Sequence, residues 1–320
     1  MGVAEERSAD TPDLAGPDLV GLQDKVASAT RHFFPLAAAS LPGSYLPGLL
    51  GGAAVSDWEP FLAVLDETAR DWSCPSTGVL NVPNEHPAVS LLVKNGYIAV
   101  PGFAHAVLTV RDASLDDYVA RFRNHGRVRK ARVLRELRSF KESGLTVRET
   151  TLDAFDASHA ALHLRQLRRY GHDVSAEWLV DLMRSSARHL GPWARMVVAE
   201  RDGVPEAFTV CYSFEGEIHL KMSGFSEYAE RHAGYFAMVF YELVAYAQRS
   251  GARRIQYGPL TYEAKVGRGC TLEPRTNYLR VPEEWRESLV ALAAVAERKG
   301  RVRLAALEKS WDSMEGNQGD

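Results

Sequence analysis

The chain has 320 residues, 46% hydrophobic and 25% charged, with a formal net charge of −3. That length and balance describe an ordinary soluble globular protein with room for two domains, and exclude a collagen-like, low-complexity or disulfide-scaffold chain. The three cysteines, Cys74, Cys211 and Cys270, are scattered, which fits a reducing cytoplasm and no metal site, and no apolar run approaches the roughly 18–20 residues of a membrane helix.

In chain order, Met1 to Asp18 is acidic and broken by Pro12, Gly16 and Pro17. It lacks a basic start followed by an apolar stretch, so it reads as a disordered leader and not a signal peptide. Apolar spacing predicts a helix over Leu22 to Ala39, a Pro/Gly-rich loop over Leu41 to Ser56 and a helix over Trp58 to Trp72. Thr77 to Val82 reads as a strand, and Pro87 to Asn95 as a short helix closed by Gly96. Tyr97 to Val100 and Ala104 to Val110 read as strands joined across Pro101 and Gly102. One long helix follows over Leu115 to Ser143, with Ser114 and Asp117 as a capping box and Gly126 as a point of interruption. Thr146 to Glu149 is strand-like, and helices are predicted over Asp153 to Tyr170 and Ala176 to His189. The clearest β region is Arg195 to Glu200, Pro205 to Phe214 and Glu217 to Gly224, joined by Asp202-Gly203 and Glu215-Gly216, the chemistry of tight hairpin turns. An apolar helix over Tyr235 to Ser250, strands over Arg254 to Tyr257 and Asn277 to Val281, and a terminal helix over Pro282 to Lys309 complete the reading.

Charge is balanced overall but not locally. Between Arg121 and Lys141 stand nine Lys/Arg and a single acid, Glu136; that segment carries +8 and leaves −11 for the rest. Helices that use charge for stability interleave acids with bases, and this one does not. Its basic face, with Arg127, Arg129, Lys130, Arg132 and Arg135, is therefore a candidate surface for the phosphates of a nucleic acid or nucleotide. The alternative is a solvated face paired with acids elsewhere.

The segment Arg253 to Cys270 is the other concentration of chemistry. A short strand ends at Gly258 and Pro259, and Tyr262, Glu263, Lys265 and Arg268 follow within seven residues, Arg268 between Gly267 and Gly269. A cation delivered by a loop at a strand end is a common way to meet an anionic substrate or a developing oxyanion. A solvated turn is the bland reading of the same residues.

The predicted order, helix–helix–three-stranded meander–helix–strand–helix–strand, is similar to that of the N-acetyltransferase (GNAT) superfamily. Residues 115–281 resemble its FemAB-like, Fem ligase branch on three stretches: Tyr118 with Arg127-Val-Arg-Lys-Ala-Arg-Val-Leu-Arg-Glu136, Tyr170-Gly171 before Trp178, and Tyr257-Gly258 with Glu263-Ala-Lys265-Val-Gly-Arg268-Gly. Phe33-Phe-Pro35, Pro42 and Asn95-Gly-Tyr97 resemble the family's degenerate first lobe. The chain departs from the family in a short first lobe and in lacking a long coiled-coil insertion. The resemblance implies an α/β (α+β) fold of two GNAT-like lobes, each a mixed, largely antiparallel sheet flanked by helices. The division it implies is a leader over 1–18, a degenerate lobe over 19–113, a basic linking helix over 114–145 and a second lobe over 146–320.

The resemblance also implies a reaction: an aminoacyl group passes from aminoacyl-tRNA to the amine of a peptide-type acceptor and an amide forms. It places Lys265 near the reaction centre, with Tyr262 and Glu263 as further catalytic candidates, and Arg268 on a phosphate or carboxylate. Lys221, Arg231 and Tyr257 are substrate-binding candidates, and the five basic residues above would contact tRNA. No metal or redox cofactor is implied; the expected partners are aminoacyl-tRNA and a small peptide acceptor, of a specialised metabolite such as a peptide antibiotic or of the cell wall. The expected setting is the cytoplasm, without a membrane, and a monomer.

An acyl-CoA-dependent transferase is the competing expectation. Ordinary GNAT domains carry Arg/Gln-x-x-Gly-x-Gly/Ala, whose backbone N–H groups grip a diphosphate. The matching window here is Arg231-His-Ala-Gly234-Tyr-Phe236, with a bulky Phe236 where a small residue is wanted. Other signals are weaker. His159 and His163 are four apart and read as surface residues, Cys270 has no visible histidine–acid partner, and alternation puts His219 and Lys221 on one strand face, opposite Met222.

Overall fold

In the computed structural model the residues described are 2–4, 34–39, 55–122, 130–169, 171–298 and 300. The expected leader, the loop over Leu41 to Ser56, Tyr170, and both Arg127 and Arg129 lie wholly or largely outside them. The chain forms two units, Met1–His105 with Leu272–Asp320, and Ala106–Thr271. Its fold is mixed α/β, with two sheets flanked by helices.

The sheet of the first unit has the order β1 (Gly2–Ala4), β2 (Leu36–Ala39), β3 (Ser76–Pro83), β12 (Arg275–Arg280) and β4 (Ile98–Pro101). Its two faces are both apolar. Trp58, Leu62, Leu65 and Ala69 of α1 (Val55–Asp71) pack with Leu91 and Leu92 of α2 (Val89–Lys94) against Val79, Val82 and Tyr278. On the other face Leu289 and Ala293, from the helical stretch 286–298, meet Leu36, Leu80, Ile98 and Leu279.

Three expectations are corrected here. Leu36–Ala39 is not the end of a helix; it is a strand parallel to β3. The strands either side of Pro101-Gly102 are not paired neighbours, because β4 and β5 (His105–Thr109) join different sheets. The last strand does not belong with residues 146–270: β12 is antiparallel to both β3 and β4, so the chain re-enters the first unit after Thr271.

The second sheet has the order β11 (Thr271–Glu273), β5, β10 (Arg254–Gly258), β9 (Glu217–Phe225), β8 (Val204–Phe214), β7 (Ala194–Arg201) and β6 (Thr146–Thr151). The hairpins form where the sequence places them. Asp202 and Gly203 have φ of 53° and 78°, Glu215 and Gly216 46° and 78°, the left-handed pairs that two-residue hairpin turns require. One face is covered by α5 (Ala157–Arg169) and α6 (Ala176–Leu190), whose Ala160, Leu164, Leu179 and Met183 pack on Met196, Val198, Phe208 and Val210. Asp156 and Ser175 start these helices by accepting from the backbone N–H of Ser158 and Trp178. The other face is covered by a strongly apolar helix, continuous through α8 (Gly234–Phe236), a π-helical stretch Ala237–Glu242 and α9 (Leu243–Ser250).

The long basic helix is not continuous. Ser114 caps α3 (Leu115–Ala120), which ends before an irregular Phe122, and α4 (Lys130–Glu142) begins afresh. Val133, Glu136 and Phe140 are its buried stripe, while Arg135, Arg138 and Lys141 face solvent. Among the described residues no helix is long and apolar enough to cross a membrane.

Candidate functional site

The site is set by a register that stops short. Strands β9 and β10 are parallel and pair only through Arg254↔Glu217, Ile255↔Ile218 and Gln256↔His219. Beyond that level β9 runs on to Phe225 while β10 ends at Gly258, so the β10-side edge of β9 from Leu220 onward is not covered by its neighbour. A gap between parallel strands in the middle of a sheet exposes backbone polar groups that the sheet would otherwise pair.

A β-bulge sits at this level. Val210 pairs with Met222 and Cys211 with Leu220, so Lys221 is the extra residue on β9. A bulge breaks the two-residue alternation. Met222 packs against the core under α5 and α6, and His163 of α5, whose pKa is lowered by burial first and by the Lys221 charge as a smaller cause, lies near Lys221. Burial pushes the Lys221 ammonium down to about 8, within reach of the neutral amine near physiological pH.

His163 is held by its Nδ1 at 2.7 Å from the Ser223 carbonyl. Burial is the main cause of its lowered pKa, which keeps the ring neutral. His163 is half-buried and His159 fully so, 2.7 Å from Asp156 and against Phe155 and Phe208. The surface reading of these histidines fails because the α5 stripe they share is the stripe that meets the sheet. Gly224 makes that approach possible: a Cβ there would lie 2.4 Å from the Phe208 ring and 2.8 Å from the His163 backbone nitrogen. Further along the same face, Glu217 accepts from Gln256 Nε2 at 3.2 Å, with Arg254 at 3.0 Å and His219 at 3.6 Å.

The strand-end loop is built differently from a solvated turn. Gly258, Leu260 and Thr261 have φ of 68°, 64° and 46°, which for Leu260 and Thr261 is strained backbone. Lys265, on α10 (Tyr262–Val266), holds it in place. Its Nζ donates to the carbonyls of Tyr257, Gly258 and Pro259 at 2.9, 3.1 and 2.6 Å. An ammonium has three protons, and all three are directed at the backbone. Burial lowers the Lys265 pKa to about 8.

Arg268 is 1% exposed. Its Nη2 donates to both Glu136 oxygens at 3.1 and 2.9 Å, its Nη1 to the Ala264 carbonyl at 3.1 Å, and its guanidinium lies 3.8 Å from the Phe236 ring centre. The anion it grips is internal. Tyr257 is buried and stacks on Phe240 with ring centres 5.0 Å apart. Cys270 is also buried, and burial raises its thiol to about 12, which opposes thiolate chemistry. Tyr262 is half-buried, Glu263 exposed, and Arg231 exposed at the end of α7 (Glu227–Arg231). Lys130 is half-buried, and Arg132 and Arg135 are exposed on α4.

The structure thus brings Lys265, Arg268 and Tyr257 together on the side of the π-helical stretch, and Lys221 near His163. His163 was read from sequence as a surface residue and Glu217 was not a candidate; the seat of α5 brings His163 near Lys221, and the strand register sets Glu217 beside Gln256 and Arg254. Among the described residues no three His, Cys, Asp or Glu gather as metal ligands would.

Residues 126–266 match the family described as an acetyltransferase (GNAT) domain. Among solved structures, FemX superposes with a TM-score of 0.54 at 10% identity, over 80% of this chain and 82% of its own. The C-terminal domain (DUF2156) ascribed to a lysylphosphatidylglycerol synthetase of Agrobacterium fabrum gives a TM-score of 0.50 at 14% identity, over 78% and 84%. The sequence matches no curated protein. The chain carries a GNAT-type fold, which it shares with these solved structures at low sequence identity.

Proposed function

We propose that the protein forms an amide by moving an aminoacyl group from aminoacyl-tRNA to the amine of a peptide-type acceptor, in the cytoplasm and without a metal or redox cofactor. The observation that carries this reading is the window Arg231 to Phe236. Gly234, the residue that would let a diphosphate approach, is needed for packing instead: a Cβ there would lie 2.7 Å from the Ala229 carbonyl. Phe236 fills the small-residue position and turns its ring onto Arg268. With Phe236 at the small-residue position, a CoA diphosphate loses part of its usual cradle. The Fem resemblance of residues 115–281 and the exposed Arg135, Arg138 and Lys141 of α4 supply the positive argument for tRNA. The acceptor class, a peptide of specialised-metabolite or cell-wall assembly, rests on that resemblance.

In this account the acceptor amine enters the gap beside Lys221. Neutral Lys221 takes a proton from the attacking nitrogen as the N–C bond forms, the ester C–O bond to the ribose breaks, and the proton passes to the leaving oxygen. Burial keeps the Lys221 pKa low, and His163, whose own pKa is lowered mainly by burial, stays neutral beside it. Lys265 fixes the loop and takes no part in proton transfer. The pH profile tests it: kcat/KM should rise with pH and level off above about 8, as Lys221 loses its proton. Lys221→Arg should remove that limb and lower kcat/KM about 100-fold. An unchanged limb in the variant would exclude Lys221. The acyl-CoA reading keeps one observation in its favour, the Arg231 and Gly234 match, and predicts tight acetyl-CoA binding.

A further inference from the structure

We propose that Arg268 and Glu136 are positioning residues: they clamp the strand-end loop 257–270 to helix α4 and to the helix after β9, so that loop, basic helix and sheet cover move as one body. The proposal deepens the acyl-transfer reading and rests on it for its kinetic arm. Four elements meet in this clamp. Glu136, from α4, accepts from Arg268 Nη2, from Tyr241 Oη of the π-helical stretch at 2.5 Å, and from Arg132 Nε at 3.0 Å. The guanidinium carbon of Arg268 lies over the rings of Phe236 and Phe240, 3.8 and 5.0 Å from their centres. Tyr118 of α3 donates from its hydroxyl to the Arg268 carbonyl at 2.8 Å, fixing the backbone there.

Stability alone does not explain such a pair. Arg268 is 1% and Glu136 7% exposed, and burying two charges gains little over well-packed apolar side chains. What the pair supplies is geometry: a planar fork, two carboxylate oxygens and two ring faces admit one arrangement. It acts just where geometry is needed, since the same loop holds the strained Leu260 and Thr261 and the three carbonyls gripped by Lys265. A π-helical stretch at the clamp fits this use, such segments being found where a helix is shaped for function.

Glu136→Gln leaves the buried Arg268 charge unpaired and Arg268→Met leaves Glu136 only the exposed Arg132 for a cation, so both will lose stability and the decisive comparison is a paired one. Glu136→Gln, Arg268→Met and the double variant would be compared with wild type by thermal denaturation, by hydrogen exchange over 257–270, and by kinetics with aminoacyl-tRNA. The double variant should recover most of the melting temperature lost by the worse single one. Its loop should still exchange at least 10-fold faster than wild type, and kcat should fall at least 10-fold with KM within 2-fold. Wild-type loop exchange in the double variant would overturn the proposal and reduce the pair to packing. A raised donor KM in Arg268→Lys, with Glu136→Gln unaffected, would overturn it in favour of substrate contact. Should wild type turn over no aminoacyl-tRNA, the functional reading falls, and the exchange arm still decides the clamp.

Discussion

Lys265 and Lys221 show how little a side chain's identity says about its task. Both are lysines in the second unit with pKa values brought down to about 8 by burial. Lys265 belongs to the sequence segment that looks most like a reaction loop, yet its three protons hold three carbonyls of that loop. Lys265→Met should lower stability by about 2 kcal/mol, a fall in melting temperature of roughly 4–8 °C for a unit of this size, because the strained turn loses its tether. Thermal denaturation checks this; an unchanged melting temperature with turnover abolished would return Lys265 to the chemistry. Lys221 was legible only as one position in an alternating strand. That it is the inserted residue of a bulge depends on how β8 and β9 slide past each other, which no local pattern encodes. Glu136 carries a fainter signal. A single acid among nine cations is odd, and its partner, Arg268, stands 132 positions away in the chain.

At the scale of elements, what is local in the sequence was readable and what is long-range was not. The β7–β8–β9 meander follows from Asp202-Gly203 and Glu215-Gly216, whose left-handed backbone twists two strands into a hairpin. Helices α5 and α6 follow from apolar spacing and from their capping residues. The sheet assignments of β5 and β12 were missed, because short apolar strands pair with whatever the fold brings alongside. The close seat of α5 on β9 also leaves no periodic trace; it depends on Gly224. Gly224→Ala should destabilise the protein by about 3 kcal/mol, measured by denaturant unfolding, since the new methyl meets backbone of α5 as well as the Phe208 ring. A neutral result would mean that helix and strand can separate, and that His163 is not fixed beside Lys221. For α4 the prediction concerns salt. Replacing Lys130, Arg135 and Arg138 by Ala should reduce the log–log salt dependence of tRNA binding by about two to three units. An unchanged slope would make that face a solvated surface.

At the scale of the whole molecule, two sheets flanked by helices host one clear discontinuity, the parting of β9 from β10 after Gln256↔His219. The chain's composition foresaw two units, and the family resemblance foresaw the GNAT-type fold. The path of the chain was harder to foresee: residues from Leu272 onward belong with the first unit, so the second is an insertion between two parts of the first. Activity is therefore argued from the gap, its bulged lysine and the altered Arg231 to Phe236 window, because a fold shared at 10% identity carries no substrate with it.

The central claim is the donor, and a donor comparison on the purified protein tests it most directly. Radiolabelled aminoacyl-tRNAs and acetyl-CoA would be offered separately with a panel of small peptide amines, and amide formation followed with and without ribonuclease. The account predicts transfer from one aminoacyl-tRNA, abolished by ribonuclease, and no transfer from acetyl-CoA. Tight binding and turnover of acetyl-CoA with no effect of any tRNA would contradict it, and would show that Phe236 leaves room for the diphosphate after all.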